Sequence, residues 1–232
     1  MKRSKNAGFT LIELAIVLVV IGLIIAAVLK GEDLIQNARM LNFVTNPVQK
    51  AQVAAMAYYD RTGQFPSVST TGGIKGPLYQ MYQAGIDGVL DLKNPFTQGS
   101  DSLGMALGTI SVKGQDGSTA NYPVIVIQPV TVSGTTVTAT SWTQSELGYA
   151  NYLKSKIDGS TSSWTTGNVR MLNSSITVTY KLLSGEITTN APASTTYDGY
   201  FTTPTTTYTS TNFVAPATQA YTLVYFYNQQ PH

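Results

Sequence analysis

The sequence contains no cysteine and a single histidine, and these two scarcities exclude several kinds of site. Without cysteine the chain can form neither a disulfide nor a thiolate metal site, and cysteine usage says nothing about its compartment. The histidine, His232, is the last residue, which leaves none for a Ser-His-Asp or Cys-His arrangement or for a zinc site of several histidines. Glycine-rich phosphate loops and nucleophile elbows are also missing, so the sequence gives no case for catalysis and we expect no cofactor.

Charged residues are few, at 11% of the chain, and their signs nearly balance. Three of the 14 lysines and arginines (Lys2, Arg3 and Lys5) precede residue 9, which leaves eleven basic residues against 12 acidic ones. A nucleic-acid-binding domain rests on many lysine and arginine contacts to phosphates. The near-neutral remainder therefore indicates no clear nucleic-acid site.

One long apolar run lies near the start of the chain. Residues 9–29 carry one charge, Glu13, and as a helix they are long enough to cross roughly 30 Å of hydrocarbon. The basic residues before the run predict, by the positive-inside rule, that residues 1–8 stay in the cytoplasm. A secretory signal peptide would have small residues at a cleavage site after the run, whereas the charged stretch 30–33 follows. A plain uncleaved anchor explains the length of the run but not its glycine–phenylalanine junction or Glu13.

The residues around this junction carry a resemblance to a known family. A short basic leader, KRSKNAG at 2–8, is followed by FTLIEL at 9–14. This combination resembles the class III signal of type IV prepilins and of the related type II secretion pseudopilins. The resemblance implies that prepilin peptidase cuts between Gly8 and Phe9, that the new amino group of Phe9 is methylated, and that the apolar helix stays on the mature protein.

Glu13 needs a partner, because an ionised carboxylate in hydrocarbon is costly unless it is paired. Cleavage would create a candidate, the α-amino group of Phe9, which is mostly cationic at neutral pH. The resemblance implies that this amine belongs to an adjacent subunit, so that Glu13 becomes a register contact in filament assembly. The alternative is a carboxylate that only snorkels to the cytoplasmic interface, and both can hold at different stages.

Beyond the apolar run the pattern becomes amphipathic and predicts a helical stripe that packs on a head domain. The stripe consists of Leu34, Leu41, Val48 and Ala55, with Val44, Ala51 and Tyr58 offset by three residues. Pro47 predicts a helix kink, because it lacks an amide hydrogen and crowds the preceding turn. Gly22 predicts a second, weaker kink, since glycine weakens a helix locally.

Gly63 and Pro66 predict that the long helix ends near Arg61. We therefore predict four parts, a cleaved leader (1–8), an apolar helix (9–29), its amphipathic continuation (30–61) and a β-rich head (62–232). In the head, the spacing of apolar and turn residues predicts strands at 122–128, 175–183 and 221–227, with a hairpin turn at 184–186. It also predicts helices at 77–84 and from Thr143 to about residue 157.

The expected fold class is α+β, with a long N-terminal helix packed on a mainly antiparallel sheet, as in type IV pilins. Those pilins often close the head with a disulfide, which this chain cannot form. The resemblance implies a structural function, a pilin of a type IV pilus or related filament. It is expected in the bacterial inner membrane as a precursor, and then in a pilus or periplasmic filament with its head outside the cytoplasm.

The expected partners are identical or related pilin subunits, prepilin peptidase, the inner-membrane assembly machinery and, before assembly, the membrane itself. Within the family, the alternative is a pseudopilin of a type II secretion system or a minor pilin. Outside it, the alternative is an enzyme or binding module held by an uncleaved anchor.

Overall fold

The structure is a computed structural model, and it describes residues 10–70, 73–114, 116–187 and 195–228. The chain forms two compact units, Met1–Arg39 and Met40–His232. Helix α1 (Leu11–Phe43) contributes residues to both units. It contains no proline and is rich in leucine, isoleucine and alanine, which suit an uninterrupted helix. Gly22 lies within this helix, and a kink there stays a prediction.

A π-helical turn, Val44–Gln49, follows α1 and leads into α2 (Lys50–Thr62). Pro47 lies inside this turn, where its missing N–H prevents an ordinary α-helical hydrogen bond. A π-helical turn is a local departure from the α-helical pattern, and so the irregularity lies where the sequence predicts a kink. The bend angle itself stays a prediction. Helix α2 ends before Gly63, whose left-handed conformation (φ 71°) lets its N–H reach the carbonyl of Tyr59.

Only part of the predicted stripe is buried. Val44, Val48, Ala51 and Ala55 lie in the core of the head unit. Leu41 is 46% exposed, and the prediction that it packs on the head is wrong. For Leu34, in the first unit, that packing stays a prediction. The period of an apolar stripe defines a face of the helix, but it does not define the residue at which packing begins.

An eight-stranded sheet forms the body of the head. The strands are β1 (Phe96–Gln98), β2 (Asp101–Lys113), β3 (Thr119–Ser133), β4 (Thr136–Ala139), β5 (Val169–Leu172), β6 (Thr179–Leu182), β7 (Tyr197–Tyr200) and β8 (Thr222–Phe226). Their order is β5-β8-β3-β2-β7-β6, while β1 also pairs with β2 and β4 with β3. All pairs are antiparallel except β2 with β7. The predicted α+β, pilin-like layout of a long N-terminal helix and a mainly antiparallel sheet is thereby confirmed.

The remaining helices are α3 (Pro77–Gln83), α4 (Gln144–Asp158) and the single turn α5 (Leu183–Glu186). Two short 3-10 helices lie at Asp87–Asp91 and Ser210–Asn212. Both longer head helices confirm the sequence prediction. Thr143 and Glu146 form the expected capping box of α4, and Gly159 closes that helix with φ 73°.

One predicted strand is largely wrong. Only Thr179–Leu182 of the expected strand 175–183 is a strand, and the expected hairpin turn at 184–186 belongs to α5. Side chains hold the earlier part instead, because the N–H of Ile176 donates to Thr222 Oγ1 and its carbonyl accepts from Gln128 Nε2. These contacts connect residues far apart in the sequence, so periodicity could not reveal them.

The sheet has an apolar core on each face, because successive strand side chains point in opposite directions. One core joins the helices to Leu103, Met105, Leu107, Ile125, Ile127, Leu223 and Tyr225. The other packs Ala106, Ile110, Val124, Val126, Val224 and Phe226 against residues outside regular strands, namely Ile176, Phe201, Tyr208 and Phe213. Helices therefore cover one face of the sheet, and later segments of the chain cover the other.

Glycines on β2 and β7 make room for close contacts in this sheet. A Cβ on Gly104 would lie 2.4 Å from the hydroxyl oxygen of Tyr180, and one on Gly108 would lie 2.6 Å from the ring of Phe201. A Cβ on Gly199 would lie 2.0 Å from the backbone oxygen of Met105. The contact between β2 and β7 thus depends on a strand residue without a side chain.

Substitution of Gly199 with alanine should strongly destabilise the head. The added methyl group would collide with backbone, which cannot move aside as a flexible side chain can, and overpacking of this kind costs about 1–3 kcal/mol or more. Gly185→Ala is the matched control, since a Cβ there has nothing within 4 Å. Thermal unfolding of both variants measures the difference, and equal melting temperatures would contradict the tight approach at Gly199.

Candidate functional site

The predicted site residues cluster at the beginning of the chain, and the structure describes them in part. Gly8 and Phe9 lie outside the described residues, so peptidase cleavage between them and methylation of Phe9 stay predictions. Thr10 is the first described residue, and α1 begins directly after it. Glu13 therefore stands in the first turn of this helix, at the third helical position.

Thr10 and Glu13 form a reciprocal set of hydrogen bonds at this helix end. The backbone N–H and the hydroxyl of Thr10 donate to Glu13 Oε2 at 2.8 and 2.9 Å. In return, the backbone N–H of Glu13 donates to Thr10 Oγ1 at 3.3 Å. This geometry is that of a capping box, in which two side chains satisfy N–H groups that the helix leaves unpaired.

The capping role of Glu13 was missed in the sequence, although its signal is present there. Threonine, two residues and then glutamate before an apolar run is the spacing of a capping box, and Thr10 to Glu13 has it. The capping box gives the Glu13 carboxylate a hydrogen-bond partner within its own chain, Thr10. A carboxylate has about four acceptor positions, so two bonds from Thr10 leave capacity for a further donor.

The helix that follows presents an apolar surface. Among the residues that the structure describes, one helical stretch, Leu11–Thr62, is long and apolar enough to cross a membrane. None of its apolar part is buried within the protein. Large side chains such as Val19 and Leu23 are each 71% exposed. This surface fits insertion into a membrane, which would remove it from water.

The described residues bring no metal-binding cluster together. Across residues 10–70, 73–114, 116–187 and 195–228, no group of three or more His, Asp or Glu side chains is arranged to hold a metal ion. The arrangement around Thr10 and Glu13 consists of hydrogen-bond donors and acceptors on an apolar helix. It is suited to holding one carboxylate in a fixed place and to helix packing.

Comparison with known proteins supplies one finding. Residues 3–29 match the family model of the prokaryotic N-terminal methylation motif. Comparison with the curated proteins and with the solved structures gives no significant match. The matched residues include the predicted cleavage junction, Thr10, Glu13 and the apolar part of α1, and they confirm the resemblance of this segment to the class III signal.

The motif supports a precursor of the type IV pilin or pseudopilin type. It implies processing by prepilin peptidase and assembly with other pilin subunits, and it marks pilin-like structural subunits, which are not enzymes. The match ends at residue 29 and does not reach the head.

Replacement of Thr10 with valine tests the capping box. Valine keeps the branched shape but loses the hydroxyl, so the first turn of α1 should fray, and loss of a helix cap typically costs about 0.5–2 kcal/mol. Thr10→Ser is the control, because serine retains the hydroxyl. Amide hydrogen exchange in detergent micelles should be faster for Glu13, whose N–H donates to Thr10 Oγ1, and for Leu14, whose N–H donates to the Thr10 carbonyl, in the valine variant alone. Unchanged exchange would contradict the role of the Thr10 hydroxyl.

Proposed function

We propose that this chain is the precursor of a filament subunit, a pilin of a type IV pilus or a related filament. The observation that carries the proposal is the N-terminal methylation motif at residues 3–29, together with the exposed apolar helix that it includes. In this proposal residues 1–8 are the cleaved leader and residues 9–29 are the membrane-spanning and filament-core segment. Residues 30–61 continue the helix, and 62–232 form the head that the filament displays.

The apolar segment serves two environments in turn. Before assembly the side chains of residues 9–29 lie in hydrocarbon, where every backbone polar group must be satisfied within the helix. In the filament the same side chains pack against the apolar helices of neighbouring subunits. Transfer between these environments keeps the apolar surface away from water, so a subunit can leave the membrane without exposing it.

Glu13 acts as the register contact in this proposal. In the isolated chain its carboxylate accepts hydrogen bonds from Thr10 at the helix end. In the filament the carboxylate additionally accepts a hydrogen bond from the methylated α-amino group of Phe9 of an adjacent subunit. A salt bridge in an apolar core is strongly orienting, because either charge left alone there is costly. The contact therefore specifies how far one subunit is displaced along its neighbour.

We propose that two positions bend the long helix. Pro47 lies in the π-helical turn between α1 and α2, and we propose that it fixes a bend there. A Cβ at Gly22 would have nothing within 4 Å, and we propose that this glycine allows a second, weaker bend inside the apolar segment.

A pseudopilin of a type II secretion system is the second candidate function. The same observation favours it, since the methylation motif at 3–29 belongs to both kinds of precursor. In both cases prepilin peptidase processes the precursor, and the mature subunits are assembled into a filament at the inner membrane. The two differ in where the filament ends, at the cell surface or within the periplasm.

Processing predicts a defined mature N-terminus. Mass spectrometry of a cell-surface fraction released by shearing should show a chain that begins at Phe9 with one methyl group on its α-amine. Fractionated periplasm and membrane provide the comparison, because a pseudopilin would be enriched there instead. A full-length N-terminus in the assembled material would contradict processing at Gly8–Phe9 and would favour a module on an uncleaved anchor.

Replacement of Glu13 with alanine should separate processing from assembly. Membrane insertion and cleavage should survive, because the substitution removes a charge that is costly in hydrocarbon. Polymerisation should fail, since the Phe9 amine of a neighbour would lose its buried partner, a loss of about 3–5 kcal/mol at each contact. Glu13→Asp should be intermediate, because its shorter side chain misplaces the carboxylate.

The measurement is a count of filaments by electron microscopy beside confirmed cleavage of each variant. The capping box provides a control, since Glu13→Gln keeps an oxygen acceptor for Thr10 but removes the charge. If Glu13→Gln assembles normally and Glu13→Ala does not, capping rather than charge pairing is the essential contribution. Normal filaments from both variants would show that register is set elsewhere.

A further inference from the structure

Two buried carboxyl groups bind the same short stretch of backbone, residues 76–79, inside the head and far from the N-terminal motif in sequence. Asp198 of β7 is 0% exposed, and Glu186, the last residue of α5, is 4% exposed. The carboxylate of Asp198 accepts hydrogen bonds from the backbone N–H groups of Leu78 (3.1 Å) and Tyr79 (2.9 Å) at the start of α3. Glu186 Oε1 accepts from the N–H of Gly76 at 3.4 Å. The pair thus joins α5, β7 and the beginning of α3.

The packing around the pair is tight. A Cβ on Gly76 would lie 2.3 Å from Asp198 Cγ, so only glycine fits between the carboxyl and the chain before α3. The other oxygen of Glu186, Oε2, is buried and has no hydrogen-bond donor among the described residues. Two carboxylates in such surroundings would both be charged, buried and mutually repelling, which is a costly arrangement.

Two lysines face the pair, but backbone carbonyl groups hold both of them. Lys75 donates to the carbonyl of Glu186 and lies 4.6 Å from the ring centroid of Tyr79. Lys181 donates to the carbonyl of Ile74 at 3.2 Å. Within the described part of the chain, neither lysine forms a salt bridge with Glu186 or Asp198. On α3, β6 and β7 themselves, the other titratable side chains are tyrosines: Tyr79, Tyr82, Tyr180, Tyr197 and Tyr200. The neighbouring strand β2 carries Asp101 and Lys113, the 3-10 helix before β1 carries Asp91, and α2 carries Lys50, Asp60 and Arg61.

We propose that Glu186 and Asp198 share one proton, and that this proton makes the junction of α3, α5 and β7 a pH-sensitive contact. Both oxygens of Asp198 accept backbone N–H groups, as a carboxylate does, whereas Glu186 has a buried oxygen without a donor. The proton therefore belongs on Glu186 Oε2, from which it is donated to Asp198. Its removal leaves two adjacent anions, and the contact weakens.

The direction of the pH dependence follows from the burial. Desolvation raises the pKa of Glu186 above its ordinary value. The pKa of Asp198 is raised well above its ordinary value, mainly by desolvation and next by the charge of Glu186. The folded head then binds more protons than the unfolded chain, whose carboxyl groups titrate near pH 4. The contribution of this pair to stability is consequently greatest at low pH and falls as the pH rises towards the pKa of the pair. One proton changes the unfolding equilibrium by up to about tenfold per pH unit.

The test uses the full-length protein in detergent micelles, with the tryptophan fluorescence of the head reporting thermal unfolding between about pH 4.5 and 9. Wild-type protein should melt at progressively lower temperature as the pH rises. In Glu186→Gln the amide replaces the shared proton by donating to Asp198, so this dependence should largely disappear. Glu146→Gln is the matched control, because Glu146 is also a buried glutamate, 5% exposed, but caps α4. It should keep the wild-type dependence.

Three melting results would overturn the proposal. The first is a wild-type melting temperature that does not fall with pH. The second is a Glu186→Gln variant that retains the full fall. The third is a calcium-dependent rise in the wild-type melting temperature at high pH that EDTA reverses and Glu186→Gln abolishes, since the pair would then hold a cation.

Infrared spectroscopy gives a readout that needs no variant to fold. At neutral pH the wild-type protein in heavy water should retain the carbonyl stretch of a neutral carboxylic acid. Absence of that band would contradict the shared proton. If the Glu186→Gln variant is folded and the band is lost, the band belongs to this pair.

Discussion

Packing of the segment from the end of α1 through α2 against one face of the sheet holds the head unit together. Phe43 lies edge-on to both Phe96 and Tyr149, with ring centroids 5.4 and 5.5 Å away. Farther along, Ala51 and Ala55 are fully buried and present small side chains to the core. Because small residues let a helix approach a sheet closely, the strand residues opposite can be large. The alternation of β2, β3 and β8 then decides which of their residues face the helices and which face the second core.

Local signals predicted much of this fold, because they act over a few residues. The apolar run, the cap at Thr143, the left-handed Gly63 and the proline in the helix all have physical effects within one or two turns. Strand β2 was missed because Gly104 and Gly108 resemble turn residues, although they serve to admit Tyr180 and Phe201. The strand expected at 175–183 is shortened by bonds to Gln128 and Thr222. Such distant contacts leave no periodic signal in the sequence.

The candidate site divides in the same way. The motif residues are contiguous in sequence, so the resemblance could be seen without a structure, and the matched segment 3–29 contains Gly8, Phe9 and Glu13. The hydrogen bonds between Thr10 and Glu13 could also have been predicted from spacing. The pair formed by Glu186 and Asp198 could not, because no sequence pattern shows that α5 and β7 converge on the first turn of α3. A buried pair of acids becomes visible only when tertiary structure brings it together.

The position of β8 has a consequence for how the head is made. This strand comes from the end of the described chain, at Thr222–Phe226, yet it lies between β5 and β3 in the sheet. Until it arrives, two strands made earlier have exposed hydrogen-bonding edges, which readily pair with other chains. The sheet therefore remains incomplete until nearly all of the described chain is available. A chain cut short before β8 would leave the edges of β5 and β3 open to pairing with other chains.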